Sequence, residues 1–402
     1  MQTPLKITTR LTEGEVFRFD YDGKTVARCD WKDSLVSFCI HYDFSDDPLT
    51  LVGTGHTEDS VQIILLPWRI ELWINGQLMD EEWPCGNHAL EDAELISAGN
   101  CVMEEYTPEN KEEPAILGTF TNVEGWQPEP NVFVGDCMPY CDGKRYHVLY
   151  LKDRHRHQSK WRRGAHQWSH ISTDDLKSWQ IHPMAVEIDD PTEGSICTGS
   201  WIADGSREYL FYTVRTCDGT PASIRRSISY DGYHYEKDRE FSVLLSEKYT
   251  GVSARDPKVI LGEDGLYHMF LTTSLAKEKK GCLVHLSSPD LTRWQEEDEP
   301  IYISPTADEP ECSDYFTVNG WHYLVYSLRG QGLYQSSRKP FTDWQHPIDP
   351  VIPCKSVPKA AIWQNRILFA GFDGNGKYAG TMTFKEAHVG EDGILSYSDP
   401  QL

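Results

Sequence analysis

Short apolar runs, each flanked by turn residues, account for most of this 402-residue chain. The first part alternates polar and apolar positions, as in VSFCIHYDF and RIELWING, with hairpin signals DG at Asp22 and NG at Asn75. Its longest apolar run, VQIILLPWRIELWI, is interrupted by Pro67 and two charged residues, and therefore predicts two strands rather than one helix. Residues 1–112 are predicted to form a small antiparallel β-sandwich.

A fivefold repeat organises the rest of the chain. Each unit contains an aromatic, β-prone run that follows a turn, and the five runs are KRYHVLYL, REYLFYTV, LYHMFLTT, WHYLVYS and RILFAGF. A strand-like segment such as LVHLSSPDLTRWQ follows each run, and another such as ARDPKVIL precedes it. Five units with one internal order, spaced by roughly 45–60 residues, are the signature of a β-propeller. The predicted fold is all-β, with the N-terminal β-sandwich followed by a five-bladed β-propeller over residues 113–402.

Composition excludes several classes of partner. The net charge of −24 repels phosphate backbones and anionic surfaces, so neither nucleic acid nor a membrane is an expected partner. No apolar run reaches the ~20 residues that span a bilayer, and the N-terminal sequence lacks the apolar stretch of a signal peptide. The 11 cysteines are odd in number and lack paired C-x-x-C spacing, so reduced thiols and a cytoplasmic location are expected. The oligomeric state is left open.

Acidic residues recur on the strands that are predicted to line the propeller channel. The first strand of each blade faces the channel, and these five strands carry Asp136, then Thr198 and Ser200, then Arg255 and Asp256, then Glu311 and Asp314, then Lys359. Glycoside cleavage needs two carboxylates that flank the scissile bond. Asp136, Asp256 and Glu311 are therefore predicted to share one catalytic pocket that binds a small carbohydrate. For any one of these acids alone, a turn cap or an ion pair would be the simpler interpretation.

These motifs resemble those of glycoside hydrolase family 32, the β-fructosidases. ARDPKVI resembles the family's RDP motif, which implies that Asp256 stabilises the transition state and that Arg255 binds sugar hydroxyls. PECSDYF resembles the ECPD motif, which implies that Glu311 is the acid/base. HQWSHISTDDLKSW resembles the WGHAxSxDLxxW segment and CTGSW the FSGS motif. These two likenesses imply substrate contacts at Trp168, His170, Thr198 and Ser200, and Asp314 completes the predicted binding set.

The chain also departs from the family pattern. The family's nucleophile lies in WMNDPNG, whereas the corresponding stretch here is FVGDCMPY, in which only Asp136 remains. The family's sandwich usually follows the propeller, whereas this one precedes it. The sandwich segment IELWINGQLMDEEWPCG resembles concanavalin-type lectin folds, and we expect a structural role for it. The resemblance implies a retaining β-fructosidase of a divergent branch, with Asp136 as nucleophile.

Two other hypotheses stay open. One is an inverting enzyme resembling family 43, which acts on arabinose or xylose units and uses Asp136 as base. The other is a carbohydrate-binding protein that has lost catalysis, which the altered nucleophile motif favours and the three retained acids oppose.

A locally basic stretch, LKDRHRHQSKWRRGAHQW from Leu151, forms either part of the pocket rim or an ordinary solvated loop. As a rim it could bind an anionic group, so a phosphorylated oligosaccharide or disaccharide is included among the candidate substrates. Its histidines His155, His157 and His166, with His170 beyond them, fit no strong metal-ligand template. No metal and no cofactor are predicted.

Overall fold

The computed structural model describes residues 2–43, 46–84, 86–97, 99–108, 113–129, 131–154, 156, 166–190, 192–216 and 221–402. In this part of the chain the helical segments are two 3-10 turns, Leu90–Asp92 and Gly251–Ser253, and β-strands make up most of the remaining regular structure. None of the described helices is long and apolar enough to cross a membrane. The chain forms two compact units, the first built mainly from residues 1–112 and the second mainly from residues 113–157, 166–187 and 196–402.

The first unit contains two antiparallel sheets. Its strands are β1 (Leu5–Arg10), β2 (Gly14–Tyr21), β3 (Lys24–Lys32), β4 (Leu35–Ile40), β5 (Leu49–Thr54), β6 (Ser60–Leu65), β7 (Ile70–Ile74), β8 (Gln77–Glu82), β9 (Glu94–Ser97) and β10 (Val102–Glu105). The sheet orders are β10-β1-β6-β7-β8 and β5-β4-β3-β2-β9. Strand β5 alternates buried and exposed residues because successive side chains point to opposite faces of a sheet. Both sheets contribute to one core, which includes Ile7, Phe38 and Leu72, and this confirms the predicted β-sandwich.

The predicted hairpin turns of the first unit are confirmed. Asp22 and Gly23 have φ of 48° and 73° between β2 and β3, and Asn75 and Gly76 have φ of 51° and 79° between β7 and β8. Positive φ at both central residues is what the tight I′ turn of a two-residue hairpin requires, and DG and NG adopt it readily. The apolar run around Pro67 is also divided as expected, because β6 ends before it and β7 begins after it.

The second unit contains five antiparallel sheets, the blades I to V. Its strands are β11 (Gly118–Thr121), β12 (Phe133–Cys141), β13 (Tyr146–Asp153), β14 (Gln167–Thr173), β15 (Ser178–Ile181), β16 (Glu193–Ala203), β17 (Glu208–Thr216), β18 (Ser223–Ser229), β19 (Glu236–Lys237), β20 (Arg255–Leu261), β21 (Tyr267–Ser274), β22 (Gly281–Ser288), β23 (Gln295–Glu296), β24 (Tyr302–Ile303), β25 (Glu311–Val318), β26 (Trp321–Leu328), β27 (Gln331–Ser337), β28 (Ser356–Trp363), β29 (Arg366–Asp373), β30 (Thr381–Val389) and β31 (Leu395–Ser398). The blades are β11-β15-β14-β13-β12, β16-β17-β18-β19, β20-β21-β22-β23 with β24 paired to β22, β25-β26-β27, and β28-β29-β30-β31. The five aromatic runs are the second strands β13, β17, β21, β26 and β29, so the predicted five-bladed propeller is confirmed.

The innermost strands β12, β16, β20, β25 and β28, named the channel strands below, are linked in a ring. Consecutive strands are joined by hydrogen bonds from Gly199 N to Met138 Sδ at 3.2 Å, from Ser200 Oγ to Pro257 O at 2.9 Å, from Cys312 N to Asp256 Oδ2 at 2.9 Å and from Ala360 N to Asp314 Oδ2 at 2.6 Å. Blade V meets blade I where Val134 pairs with Gly380 and Trp363 Nε1 donates to Lys144 O at 2.9 Å. The ring therefore brings together residues that are far apart in sequence.

Candidate active site

Four channel strands contain a β-bulge at the corresponding place, and the predicted acids lie in or beside these bulges. In β12, β20, β25 and β28, two consecutive residues oppose one residue of the neighbouring strand. The bulged pairs are Gly135-Asp136, Asp256-Pro257, Cys312-Ser313 and Val357-Pro358. A bulge bends its strand and re-aims the side chains that it carries. Asp256, Cys312 and Val357 have φ of 58°, 53° and 49°, a strained conformation for residues other than glycine.

The three acids lie at successive positions beside or within these bulges. Glu311 directly precedes the bulge of its strand, Asp256 is the first bulge residue of its strand and Asp136 is the second bulge residue of its strand. The sequence placed the three acids only on the channel strands, and the structure shows that they are offset from one another by one residue relative to the bulge. Because each position of a bulge points its side chain differently, three carboxylates from three blades approach a shared region from different directions.

The Cys312 thiol lies between two of the acids. Its sulfur lies within hydrogen-bond distance of Asp136 Oδ2, at 3.4 Å, and of Asp256 Oδ2, at 3.5 Å, so these two oxygens are at most 6.9 Å apart, the sum of the two distances. Burial, and then the charges of Asp256, Asp136 and Glu311, raise the pKa of the Cys312 thiol well above its usual value. The thiol therefore keeps its single proton, which it can donate to either carboxylate but not to both at once.

Arg255 connects Asp256 with Glu311 and with a further acid, Glu309. Its guanidinium donates to Glu311 Oε1 at 2.8 Å and to Glu309 Oε2 at 2.5 Å, and its Nε lies 3.5 Å from Asp256 Oδ2. Burial alone would lower the pKa of Arg255, but the charges of Asp256, Glu311 and Glu309 raise it above its usual value. Burial would raise the pKa of Glu309, yet the charge and hydrogen bond of Arg255 lower it. The side chain of Glu311 is 50% exposed and so remains accessible to a ligand.

Two lysines follow the bulges on their strands. Lys258 Nζ lies 2.5 Å from Asp314 Oδ1, while the other oxygen of Asp314 accepts from Ala360 N at 2.6 Å. Lys359 is 2% exposed, and its Nζ donates to Gly199 O at 3.1 Å. Burial lowers the pKa of Lys359. Asp314 thus has internal partners for both oxygens, and its predicted contact with substrate stays a prediction.

The remaining predicted residues differ in their distance from the acids. Thr198 Oγ1 donates a short hydrogen bond to Asp136 Oδ2. Ser200 Oγ joins two strands by donating to Pro257 O and accepting from Val259 N. Trp168 and His170 are fully buried and make no hydrogen bond to the three acids. Their roles in substrate binding stay predictions.

The basic stretch after Leu151 lies largely outside the described residues, including His155 and His157. His166 is described and pairs with Asp153 through Nε2 and Oδ2 at 2.9 Å. Within the described residues no group of three or more His, Cys, Asp or Glu side chains could hold a metal ion. Whether the stretch forms a pocket rim stays a prediction.

Sequence reasoning missed three residues at this site: Cys312, Glu309 and Tyr378. Cys312 was visible only as part of the EC motif, and Glu309 as a neighbouring acid. Tyr378, between β29 and β30, donates from its hydroxyl to Asp136 Oδ1 at 3.1 Å. The one sequence feature related to the contact between Tyr378 and Asp136 is the glycine at position 135, which leaves room for the Tyr378 hydroxyl.

Comparison with known proteins identifies related sequences. The model of the glycosyl hydrolases family 32 N-terminal domain matches residues 120–344. The chain is 29% identical over 217 residues to the sucrose-6-phosphate hydrolase of Bacillus subtilis (strain 168), a match that covers 47% of this chain and 43% of that protein. It is 28% identical over 217 residues to the raffinose invertase of Escherichia coli, covering 51% of this chain and 42% of that protein. The match spans less than half the length of either relative.

Solved structures with two different activities share the fold. The fructan 1-exohydrolase IIa of Cichorium intybus aligns with a TM-score of 0.58 at 16% identity, covering 68% of this chain and 59% of that chain. A GH43 β-xylosidase/α-arabinofuranosidase from a compost microbial metagenome aligns with a TM-score of 0.52 at 12% identity, covering 69% and 98%. At these identities the likeness establishes the fold alone.

Proposed function

The chain belongs to the glycosyl hydrolases family 32, and on that premise we propose that it hydrolyses β-fructofuranosides. The observation that carries this proposal is the joining of three acids from three blades by two side chains. Cys312 contacts Asp136 and Asp256, and Arg255 contacts Asp256 and Glu311. We also propose domain boundaries of 1–112 and 113–402, with the chemistry in the second domain.

In the proposed mechanism the sugar is transferred to the enzyme and then to water. Asp136 attacks the anomeric carbon while Glu311 protonates the leaving oxygen, and Glu311 then activates the water that releases the sugar. The partial exposure of Glu311 supports its role as the group that exchanges protons with the leaving group and with water. Asp256 is held by Cys312 N and near Arg255, which supports a role in binding sugar hydroxyls rather than in attack.

The proposed substrates are sucrose-type sugars, with or without a phosphate. The B. subtilis relative is named as a sucrose-6-phosphate hydrolase and the E. coli relative as a raffinose invertase. Both names denote cleavage of a bond to fructose. The basic residues after Leu151 supply the charge that a phosphate would need, and this makes the phosphorylated sugar a specific alternative.

The experiment is hydrolysis of sucrose, sucrose 6-phosphate, raffinose and fructo-oligosaccharides by the purified chain, with fructose release measured. Asp136→Asn and Glu311→Gln should each lower kcat by at least about a hundredfold. Ser337→Ala, on an outer strand of blade IV, serves as the control and should keep kcat. The proposal fails if no fructofuranoside is cleaved, or if both acid variants turn over at the rate of the wild type.

Product stereochemistry separates the proposal from the inverting alternative. A double displacement retains the anomeric configuration, whereas direct attack by water inverts it. NMR of the first product formed should show the retained anomer. Fructose released with inverted anomeric configuration would support the inverting, family 43-like alternative. Cleavage of arabinosides and xylosides instead of fructosides would support the same alternative. Sugar binding without cleavage would favour a binding protein.

A further inference from the structure

One bulge position in the ring lacks a side chain. The first bulge position is filled by Asp256 in β20 and by Cys312 in β25, and both side chains contribute to the cluster around the acids. The same position in β12 is Gly135. The φ of Gly135 lies outside the left-handed region, so the backbone does not require glycine there. The reason for glycine must lie in the space around it.

Tyr378 occupies that space. A Cβ built on Gly135 would lie 2.8 Å from the Tyr378 hydroxyl oxygen and 3.1 Å from Leu151 Cβ. Real Cβ atoms do not approach other heavy atoms as closely as 2.8 Å, so any larger residue at position 135 would displace the hydroxyl. The side chain comes from the loop between β29 and β30 in blade V, 242 residues beyond Asp136 in the chain.

The Tyr378 hydroxyl completes the contacts of Asp136. It donates to Oδ1 at 3.1 Å, whereas Oδ2 accepts from Thr198 Oγ1 and from Cys312 Sγ. Burial and the charge of Asp136 raise the pKa of Tyr378 well above its usual value. The hydroxyl therefore keeps its proton, and both oxygens of the carboxylate accept hydrogen bonds.

Ring contacts hold Tyr378 in this position. Its ring lies 5.2 Å from Phe372 in an edge-on arrangement and 5.3 Å from His166 in a tilted one. His166 is itself paired with the buried Asp153. A hydroxyl fixed by packing on two sides can orient a carboxylate, because its own rotation is restricted.

We propose that Tyr378 is a positioning residue for Asp136, and that Gly135 makes room for it. The proposal deepens the proposed function and rests on it for the role of Asp136 as nucleophile. It concerns a residue beyond position 344, where the match to the family model ends. The hydroxyl fixes the plane of the carboxylate, so that the attacking oxygen meets the anomeric carbon in line with the leaving group.

The test removes the same hydrogen bond from both of its sides. Tyr378→Phe deletes the hydroxyl, and Gly135→Ala displaces it by the clash described above. Each variant should lower kcat by about 10- to 100-fold on the best fructofuranoside, because small misplacements of reacting groups are costly, while KM stays nearly unchanged. The double variant should be no slower than the slower single variant, because both remove one interaction.

Tyr323→Phe is the matched control. Tyr323 is fully buried and, like Tyr378, donates from its hydroxyl, in this case to Gly393 O at 2.9 Å, outside the site. Its loss should lower stability without a change in kcat. A fall in kcat for Tyr323→Phe equal to that for Tyr378→Phe would assign the effect to stability and would overturn the proposal, as would additive losses in the double variant.

Crystal structures of the wild type and of Tyr378→Phe supply a readout that does not depend on activity. The Asp136 carboxylate should rotate away from its wild-type plane in the variant. An unchanged plane would overturn the positioning role even if the wild type cleaves no fructofuranoside. If Asp136→Asn abolishes activity but Tyr378→Phe and Gly135→Ala keep the wild-type kcat, the proposed function stands and the positioning role fails.

Discussion

Replacing Arg255 with Met tests the electrostatic organisation of the candidate site. The guanidinium, 10% exposed, contacts Glu309, Glu311 and Asp256, whose side chains are 20%, 50% and 4% exposed. Met keeps most of the packing volume of the Arg stem but leaves these carboxylates without that cation. The perturbation therefore removes charge and hydrogen bonds with a small change in shape.

The expected cost follows from the burial of the three partners. Removing one member of a buried ion pair costs about 3–5 kcal/mol, because the other charge is left without compensation. That range applies to Glu309 and Asp256, whereas the half-exposed Glu311 adds at most about 1 kcal/mol, because water screens it. Arg255→Met should therefore lower the free energy of unfolding by about 3–5 kcal/mol at neutral pH.

The loss should shrink in acid. In the wild type the pKa of Glu309 is lowered by Arg255, so the stabilisation from this pair is fully present above its usual value of 4.5 and is lost as the pH falls through the lower folded value. In the variant the buried carboxyl takes up a proton more readily. The difference between wild type and variant should be largest near neutral pH and smaller at roughly pH 4.

Urea unfolding followed by tryptophan fluorescence measures these differences, with Arg226→Met as the control. Arg226 is also 10% exposed, but it contacts a single carboxylate, Asp238 at 2.7 Å, in blade II. It should lower stability but leave kcat/KM unchanged, whereas Arg255→Met should lower kcat/KM as well. An equal fall in kcat/KM for the two variants, or a loss of stability for Arg255→Met that does not change with pH, would refute the reasoning.

Three further expectations concern neighbouring side chains. Thr198→Val should lower kcat because it removes a donor to Asp136, and steady-state kinetics with unchanged KM would support this. Asp256→Asn should lower kcat strongly while a glycosyl-enzyme still forms, and mass spectrometry of the quenched reaction would detect that species. Lys359→Met should remove one contribution that makes stability rise with pH. Burial lowers the pKa of Lys359, so between that value and 10.5 the unfolded chain binds more protons than the folded one. Urea midpoints across that range should show the wild type gaining stability relative to the variant as the pH rises.

The architecture was predictable because each blade repeats one order of strands. Runs such as LYHMFLTT are the buried second strands, and β21 has six consecutive buried residues, His268–Thr273. A strand covered on both faces needs apolar or hydrogen-bonded residues at nearly every position. The hairpin at Asn75 was predictable for a local reason, since its turn type depends on two adjacent residues.

Only those residues of the candidate site that lie on the repeated channel strands could be predicted from the sequence. Asp136, Asp256 and Glu311 were found because they lie on the channel strands, although their one-residue offsets follow from bulges that the sequence does not signal. Tyr378 was missed because it lies in a loop, and no periodicity relates a loop residue to a strand residue 242 positions away. The buried ion pair between Asp314 and Lys258 could not be predicted either, because it depends on the contact between two blades.

The ring has a consequence for synthesis of the protein. At about 5–20 residues per second on the ribosome, the 242 residues between Asp136 and Tyr378 take roughly 12–50 s to make. The first blade emerges long before the segment around Gly380 that pairs with Val134. During that interval its exposed flank has no partner and is available to chaperones or to other nascent chains. A ribosome that stalls before the last blade would release a chain whose strands have formed but whose ring is not closed. Expression conditions that slow translation late in the message should therefore increase aggregation.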